Sequence, residues 1–333
     1  MQRSFLFVLI VLALVGLPAC DGGTSSDDGG GDPPEDAWVI VVDKMNDRLV
    51  AFDVEGNQTA ENVAPTRPTD ADLQSGSNHL WLADYANDRV SRYALGEGIE
   101  LLDSTAEGRV NDPYTVAALP NGNCWCSDRV NGAFVRFSSS GVETARLSAG
   151  GPTRHTAFDA VGELVWLADE SGGLYAVDAY YVGDAAVADV AEVTVDGLGI
   201  LRGLIADGPN GRLWLSDIDG DRVLCLNAAD GSIRQTFAGL DDPYGLAVDG
   251  EGDCWAALRG AGEVVELKAD GTTGARYSGL AGPVDTAVGS DGTVWVVEEN
   301  GGVLKGLKDG AVTVEVGGLS QPVGVEVYEP ATR

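Results

Sequence analysis

The chain has 333 residues, of which 52 are acidic and 21 basic, so its formal net charge at pH 7 is −31. A surface this acidic repels phosphate backbones and anionic headgroups, which argues against nucleic acid as a partner. The acidity either serves solubility in a salty habitat or attracts Ca²⁺ and cationic partners.

Residues 1–19 predict an export signal. Arg3 precedes an apolar run from Phe5 to Leu17, which is shorter than the roughly 20 residues of a membrane span and typical of a secretory signal. Leu17-Pro18-Ala19-Cys20 then resembles the bacterial lipobox. The resemblance implies cleavage before Cys20, lipidation of its thiol and attachment to a membrane of the bacterial cell envelope, with the inner or outer membrane left open. An ordinary secretory signal with an incidental cysteine is the alternative.

Residues 20–36 combine this cysteine with a Gly-, Ser- and Asp-rich tether that contains no large apolar side chain. Such a segment cannot bury a core, and we expect it to be disordered. Residues 37–333 form one further domain.

Six tryptophans set the repeat of this domain. They recur at spacings of 44, 41, 48, 41 and 40 residues and are Trp81, Trp125, Trp166, Trp214, Trp255 and Trp295. Each lies in a short apolar strand flanked by Gly, Asp and Pro turns, which indicates antiparallel strands. A period of about 40–45 residues predicts an all-β fold, a β-propeller of four-stranded blades. One aromatic residue per blade is best explained as packing between sheets.

The two ends of the chain complete each other and give a seventh blade. Trp38 to Val42 has no proline-led strand before it, whereas Gln321 to Val327 has no tryptophan strand after it. Pairing of these segments would close a ring of seven blades and remove its exposed edges. In this first blade Ile40 takes the position of the tryptophan.

An aspartate follows the tryptophan position by three residues in five blades, and an arginine follows five residues later in three of these. The aspartates are Asp43, Asp84, Asp128, Asp169 and Asp217, and the arginines are Arg48, Arg89 and Arg222. We expect each aspartate to accept N–H groups of the turn that follows it and each arginine to form a structural ion pair.

The segment from Asp178 to Gly197 is an insertion that carries Tyr180 and Tyr181. It is either a binding loop or a longer outer hairpin.

Four cysteines lie within the propeller. Cys124 and Cys126 flank Trp125 and should face away from it, while Cys225 and Cys254 lie on neighbouring blades and could meet. Buried free thiols are favoured over a disulfide.

The residues after the first-strand prolines differ in charge from blade to blade, which a purely packing repeat does not require. We expect seven side chains to surround one mouth of the central channel and to be candidate ligand-binding residues: Asp70, Tyr114, Arg154, His155, Arg202, Tyr244 and Asp285. Arg154 and Arg202 could hold a carboxylate. His155 is the candidate base, and Asp70 and Asp285 are candidate ligands for Ca²⁺. Solvated loop residues are the plain alternative.

The repeat P-x-G-L-A-V-D…G…W-x-x-D…R-V…D-G resembles NHL repeats and the related SMP-30/gluconolactonase-like and virginiamycin B lyase-like propellers, from about Trp38 to Val327. The lactonase-like enzymes use Ca²⁺ held by Glu, Asn and Asp, but no Asn follows a first-strand proline here. The lyase-like enzymes use a His and Glu constellation, and this chain has two histidines, His155 and His79, the latter expected in a turn at the far face.

The sequence therefore favours a non-catalytic binding scaffold of the envelope, with a protein, peptide or carbohydrate as its ligand. A Ca²⁺-assisted hydrolase or a lyase at the channel mouth is the alternative.

Overall fold

The computed structural model describes residues 34–330, whose strands form seven sheets. The predicted signal, Cys20 and most of the tether lie outside the described residues. Among residues 34–330, no helix has the length and apolar character that crossing a membrane requires.

The strands of the first three blades alternate with tight turns. Blade 1 contains β1 (Trp38–Asp43), β2 (Arg48–Phe52) and β3 (Gln58–Asn62). Blade 2 contains β4 (Pro68–Leu73), β5 (His79–Asp84), β6 (Arg89–Leu95) and β7 (Ile99–Ser104). Blade 3 contains β8 (Pro113–Ala118), β9 (Cys124–Asp128), β10 (Ala133–Phe137) and β11 (Glu143–Ser148).

The middle of the chain holds the insertion. Blade 4 contains β12 (Thr153–Asp159), β13 (Leu164–Asp169) and β14 (Leu174–Asp178); after β15 (Gly183–Ala186) and the short helix α1 (Val187–Val190) it ends with β16 (Val193–Val195). Blade 5 contains β17 (Leu201–Asp207), β18 (Arg212–Asp217), β19 (Arg222–Asn227) and β20 (Ile233–Ala238).

The last two blades return to the plain repeat. Blade 6 contains β21 (Pro243–Val248), β22 (Cys254–Leu258), β23 (Glu263–Leu267) and β24 (Thr273–Ser278). Blade 7 contains β25 (Pro283–Val288), β26 (Val294–Glu298), β27 (Val303–Lys308) and β28 (Ala311–Val316). The final strand is β29 (Pro322–Tyr328), and three 3-10 turns occupy Lys44–Asn46, Tyr85–Asn87 and Gly208–Asn210.

The ring closes as predicted. Strand β29 pairs antiparallel with β1, with Trp38 opposite Tyr328 and Val41 opposite Val325. The loop before β29 is also fixed, since the Ser320 N–H donates to Asp43 Oδ1 at 2.7 Å. Blade 1 is thus a four-stranded sheet made from both ends of the propeller, which confirms the seven-bladed fold.

The core is divided among the seven contacts between blades. Trp81 packs with residues of blade 3, Trp125 with residues of blade 4, and Ile40 with residues of blade 2. The tryptophans of the repeat are all buried, so their predicted packing role is confirmed.

Three of the five buried aspartates of the second strands, Asp43, Asp84 and Asp128, accept a backbone N–H of a different loop from the one predicted. Asp84 accepts the Thr66 N–H at 2.7 Å and Asp128 accepts the Asn111 N–H at 2.8 Å, so each binds the loop that enters the first strand of its own blade. Only Asp169 and Asp217 accept backbone N–H groups of the turn that follows, whereas Asp43, Asp84 and Asp128 accept the Asn side chain of that turn. The expected arginine pairs are confirmed and are Arg48–Asp43, Arg89–Asp84 and Arg222–Asp217.

The insertion covers an edge of the neighbouring blade. Strand β15 pairs parallel with β11, the outermost strand of blade 3, which makes that sheet five-stranded. The Arg136 guanidinium donates to the carbonyl groups of Tyr180 and Tyr181. The two tyrosines pack against the core between blades 3 and 4, so the observed contacts of this segment are structural.

All four cysteines of the propeller are buried free thiols. Cys124 and Cys126 face the contact with blade 2, opposite to Trp125, as predicted. Cys225 and Cys254 share the core between blades 5 and 6 without a disulfide. Burial raises the pKa of the Cys225 thiol to about 11 and that of Cys254 well above its usual range.

Candidate functional site

The innermost strands of the seven blades line a central cavity of about 550 Å³. These strands are β4, β8, β12, β17, β21, β25 and β29. Because side chains alternate along a strand, the third and fifth residues of each strand point to the same side. Blades 1, 2 and 7 place a carboxylate at one or both of these positions, whereas blades 3 to 6 have Ala or Gly there, together with Thr115, His155 and Ile205.

These carboxylates form one acidic wall, which consists of Asp70, Asp72, Asp285 and Glu326. Three of them also connect adjacent blades through one carboxylate oxygen. Asp70 accepts the Val116 N–H at 2.8 Å, Asp72 accepts the Ala118 N–H at 2.7 Å and Asp285 accepts the Val325 N–H at 2.9 Å.

The acidic wall has no basic partner, since no ion pair joins any of its four residues to a Lys or Arg among residues 34–330. Burial raises the pKa of Asp72 and of Asp285 to about 7. Burial, together with the charges of Asp72, Asp285 and Asp70, raises the pKa of Glu326 well above its usual range. The pKa of Asp70 is likewise raised well above normal, chiefly by burial. The wall consequently favours bound protons or a cation over free negative charge.

The opposite side of the mouth carries arginine and tyrosine side chains. The Arg154 guanidinium lies 4.2 Å from the Tyr114 ring centroid, donates to Tyr114 Oη at 2.9 Å and pairs with Glu170 at 2.8 Å. Arg154 is buried, and it does not line the cavity. Both terminal nitrogens of Arg154 are thus engaged, by Glu170 and by Tyr114, although Glu170 also pairs with Arg129 at 2.9 Å and Nε of Arg154 has no partner among the described residues.

Arg202 has a different environment. Its guanidinium carbon lies 5.6 Å from the Tyr244 ring centroid, and Arg259 lies 5.3 Å from the same ring. Arg259 pairs with Glu299 at 3.1 Å and with Asp242 at 3.4 Å. In contrast, Nε and Nη1 of Arg202 are shielded from solvent and have no hydrogen-bond partner among the described residues. Arg202 therefore has two unpaired guanidinium nitrogens and no ion pair among the described residues, whereas Arg154 has one unpaired nitrogen, Nε, beside its ion pair with Glu170.

His155 lies beside Arg202 and remains neutral. Burial and the neighbouring Arg154 charge lower the pKa of its imidazole to about 3, although a hydrogen bond with the Leu201 backbone opposes this shift. Its ring meets the Tyr114 ring edge to face, with centroids 6.0 Å apart. Nε2 has no hydrogen-bond partner among residues 34–330. A neutral imidazole that donates its N–H to the Leu201 backbone can accept one further hydrogen bond at Nε2, but it is a weak base near pH 7.

The structure thus brings six of the seven predicted mouth residues to the cavity and excludes Arg154. The sequence reasoning missed five charged residues that line it, which are Lys44, Asp72, Arg259, Glu299 and Glu326. Asp72 follows Asp70 by two residues on β4, so strand alternation could have identified it. Glu326 follows from the same alternation once β29 is placed as an innermost strand.

His79 was expected in a turn of the far face, but it begins β5 and is buried. Its Nδ1 atom lies 2.7 Å from Nη2 of Arg92. The strand extends further than the turn prediction allowed, because His79 pairs with Ala94 in the sheet.

The candidate calcium ligands do not assemble into a metal site. Asp70 and Asp285 each use a carboxylate oxygen to bind the next blade. Within residues 34–330, no group of three or more His, Cys, Asp or Glu side chains is arranged to hold a metal ion. Because Ca²⁺ takes six to eight oxygen ligands, these residues do not fit it.

Comparison with solved structures shows the fold. Virginiamycin B lyase from Staphylococcus aureus is 16% identical with a TM-score of 0.64, over 83% of this chain and 94% of that one. A candidate 6-phosphogluconolactonase from Bacteroides fragilis is 14% identical with a TM-score of 0.71, over 93% and 100%. A protein of unknown function from Desulfotomaculum acetoxidans is 13% identical with a TM-score of 0.72, over 88% and 99%. At these identities the likeness extends to the propeller architecture alone. No family model and no curated protein matches the chain.

Proposed function

We propose that this protein is a non-catalytic binding protein of the bacterial cell envelope, anchored by a lipid on Cys20, whose propeller takes a ligand at the channel mouth. The ligand places an anionic group, a carboxylate, against Arg202. A protein, peptide or carbohydrate partner that bears such a group satisfies this chemistry.

One observation carries the proposal. At a mouth where Arg154 and Arg259 each pair with a carboxylate, Arg202 has no ion pair among the described residues, and its buried Nε and Nη1 have no hydrogen-bond partner there. Leaving buried donors unpaired costs about 1–3 kcal/mol per group, which a ligand oxygen would recover. The cavity volume of about 550 Å³ is typical of small-ligand sites.

The site favours binding over catalysis. A general base works best with a pKa near the ambient pH, whereas the pKa of His155 is about 3. A Ca²⁺-assisted hydrolase would need oxygen ligands that the acidic wall does not bring together. A lyase or hydrolase at the mouth is the alternative that the assay below separates.

The binding test uses the purified protein and the probe N-acetyl-trialanine, which has a carboxylate and no amine. Isothermal titration calorimetry should detect binding that Arg202→Met weakens at least tenfold, and the probe should be recovered unchanged by mass spectrometry. The matched control is Arg234→Met, which removes an exposed guanidinium from β20. Absence of binding both of this probe and of trialanine, which keeps its amine, would refute the anion site, and conversion of the probe would favour the enzyme.

The anchor is tested separately in a bacterial host. Cys20→Ser should move the protein from the membrane fraction to the soluble fraction and abolish incorporation of labelled fatty acid. A variant that still carries label would disprove lipidation at Cys20.

A further inference from the structure

The two walls of the cavity carry opposite charge preferences and face each other across the ring. Arg202 lies on blade 5, whereas Glu326 lies on blade 1 and Asp70 and Asp72 lie on blade 2. In a ring of seven, blades 1 and 2 are each three steps from blade 5, so they are the pair opposite to it. Side chains of both walls line the same cavity.

The net charge of the protein makes a purely anionic ligand a poor fit. With a formal charge of −31, the molecule repels any anion that approaches, unless the ligand also carries a positive group. The acidic wall is an available partner for that group, since none of its carboxylates pairs with a Lys or Arg of residues 34–330.

Two independent features on the Arg202 side of the cavity indicate a ligand. Nε and Nη1 of Arg202 and Nε2 of His155 are shielded from bulk solvent and have no hydrogen-bond partner among the described residues, and both side chains line the cavity. Tyr244 flanks Arg202 and Tyr114 flanks His155. An anionic group at this end would receive charge-assisted hydrogen bonds from Arg202 in an enclosed site.

We propose that the channel binds a zwitterionic ligand, a short peptide with free termini, whose carboxylate contacts Arg202 and whose ammonium group contacts Glu326, Asp70 and Asp285. This inference rests on the anion site proposed above and adds the amino end of the ligand. Because Asp70 and Asp285 each use one oxygen to bind the next blade, Glu326 is the carboxylate with the greatest freedom to contact the ammonium. The raised pKa of Glu326, which burial and three acidic neighbours cause, agrees with a site that a cation would stabilise.

The experiment compares three probes that differ at their ends alone. Calorimetry at pH 7 measures trialanine, N-acetyl-trialanine without the amine, and trialanine amide without the carboxylate. We expect trialanine to bind at least tenfold more tightly than either blocked form. A series from dialanine to pentaalanine should show one best length, because the span between the walls is fixed.

Two variants test which residue contacts each end of the peptide. Glu326→Gln should weaken trialanine at least tenfold and leave N-acetyl-trialanine unchanged, whereas Arg202→Met should weaken trialanine and leave trialanine amide unchanged. The charge control is Glu97→Gln, which removes an exposed carboxylate from the turn after β6. Unchanged binding of one probe shows that each variant is folded.

The outcomes separate this inference from the proposed function. Equal affinity for trialanine and N-acetyl-trialanine would overturn the ammonium site while the anion site stands. Loss of affinity for N-acetyl-trialanine in Glu326→Gln would also overturn it, because that probe has no amine. Failure of both carboxylate probes to bind would overturn the proposed function itself.

Discussion

Individual carboxylates of the acidic wall combine two roles that oppose each other. Asp285 holds blade 1 through the Val325 N–H at 2.9 Å, yet burial raises its pKa to about 7. A carboxyl group with a raised pKa in the folded state destabilises the fold progressively as pH rises from the unfolded pKa, about 4, to the folded pKa, about 7. Above pH 7 the full destabilisation is present, and below pH 4 there is none.

We therefore expect replacement of Asp285 by Asn to increase thermal stability, by an amount that depends on pH. Asn keeps a carbonyl oxygen that can accept the Val325 N–H but carries no charge. Asp285→Asn should raise the melting temperature by a few degrees at pH 8 and have little effect at pH 4. Scanning calorimetry at both pH values, with Glu97→Gln as the control, measures this. A difference that does not vary with pH would contradict it.

Two buried tryptophans differ in whether the indole N–H has a hydrogen-bond partner. Trp125 and Trp166 are both fully buried, but the Trp125 Nε1–H donates to Ala179 O at 2.8 Å while Trp166 Nε1 has no partner among the described residues.

We expect Trp125→Phe to lower the free energy of unfolding by about 1 kcal/mol more than Trp166→Phe does. The two changes remove similar volume, so the difference reports the hydrogen bond. Urea denaturation gives both values, and a larger loss for Trp166→Phe would refute the assignment.

At the scale of elements, the buried aspartates fix the loops that enter the inner strands. Asp84 is fully buried and binds the Thr66 N–H, the Asn87 side chain and Arg89. These bonds determine where β4 begins, and β4 carries Asp70 and Asp72 into the cavity. A residue of the second strand thus positions the candidate site without touching it.

Asp84→Ala should lower the free energy of unfolding by about 3 kcal/mol, because it leaves Arg89 and the loop N–H without their buried partner. Glu61→Ala, which removes an exposed partner of Arg48, should change it by less than about 1 kcal/mol. Chemical denaturation of both variants tests the contrast, and similar losses would show that burial of Asp84 does not matter.

At the scale of the whole molecule, the ring depends on β29. This strand completes blade 1, supplies Glu326 to the cavity and receives the Asp285 contact. Without it, β1 would present an unpaired edge and blade 7 would lose a neighbour.

A chain that ends at Ser320 should consequently lose cooperative thermal unfolding and aggregate, whereas a chain that ends at Pro330 should melt like the parent. Circular dichroism and size-exclusion chromatography measure both. Normal melting of the shorter chain would mean that ring closure contributes little to stability.

The sequence alone determined the architecture. The tryptophan period, the turn residues and the complementary ends require seven sheets and their closure, because local strand and turn preferences repeat in every blade. The same alternation along β4 contained the signal for Asp72.

Only the tertiary structure decided which mouth residues are available to a ligand. Arg154 and Arg202 occupy equivalent positions in the repeat, yet Arg154 pairs with Glu170 and Tyr114 while Arg202 has no ion pair among the described residues and keeps two unpaired nitrogens. That difference depends on a neighbouring loop and a neighbouring blade, which a repeat pattern does not encode. Likewise, Glu326 lies across the channel from Arg202 only because β29 pairs with β1 and so becomes the innermost strand of blade 1.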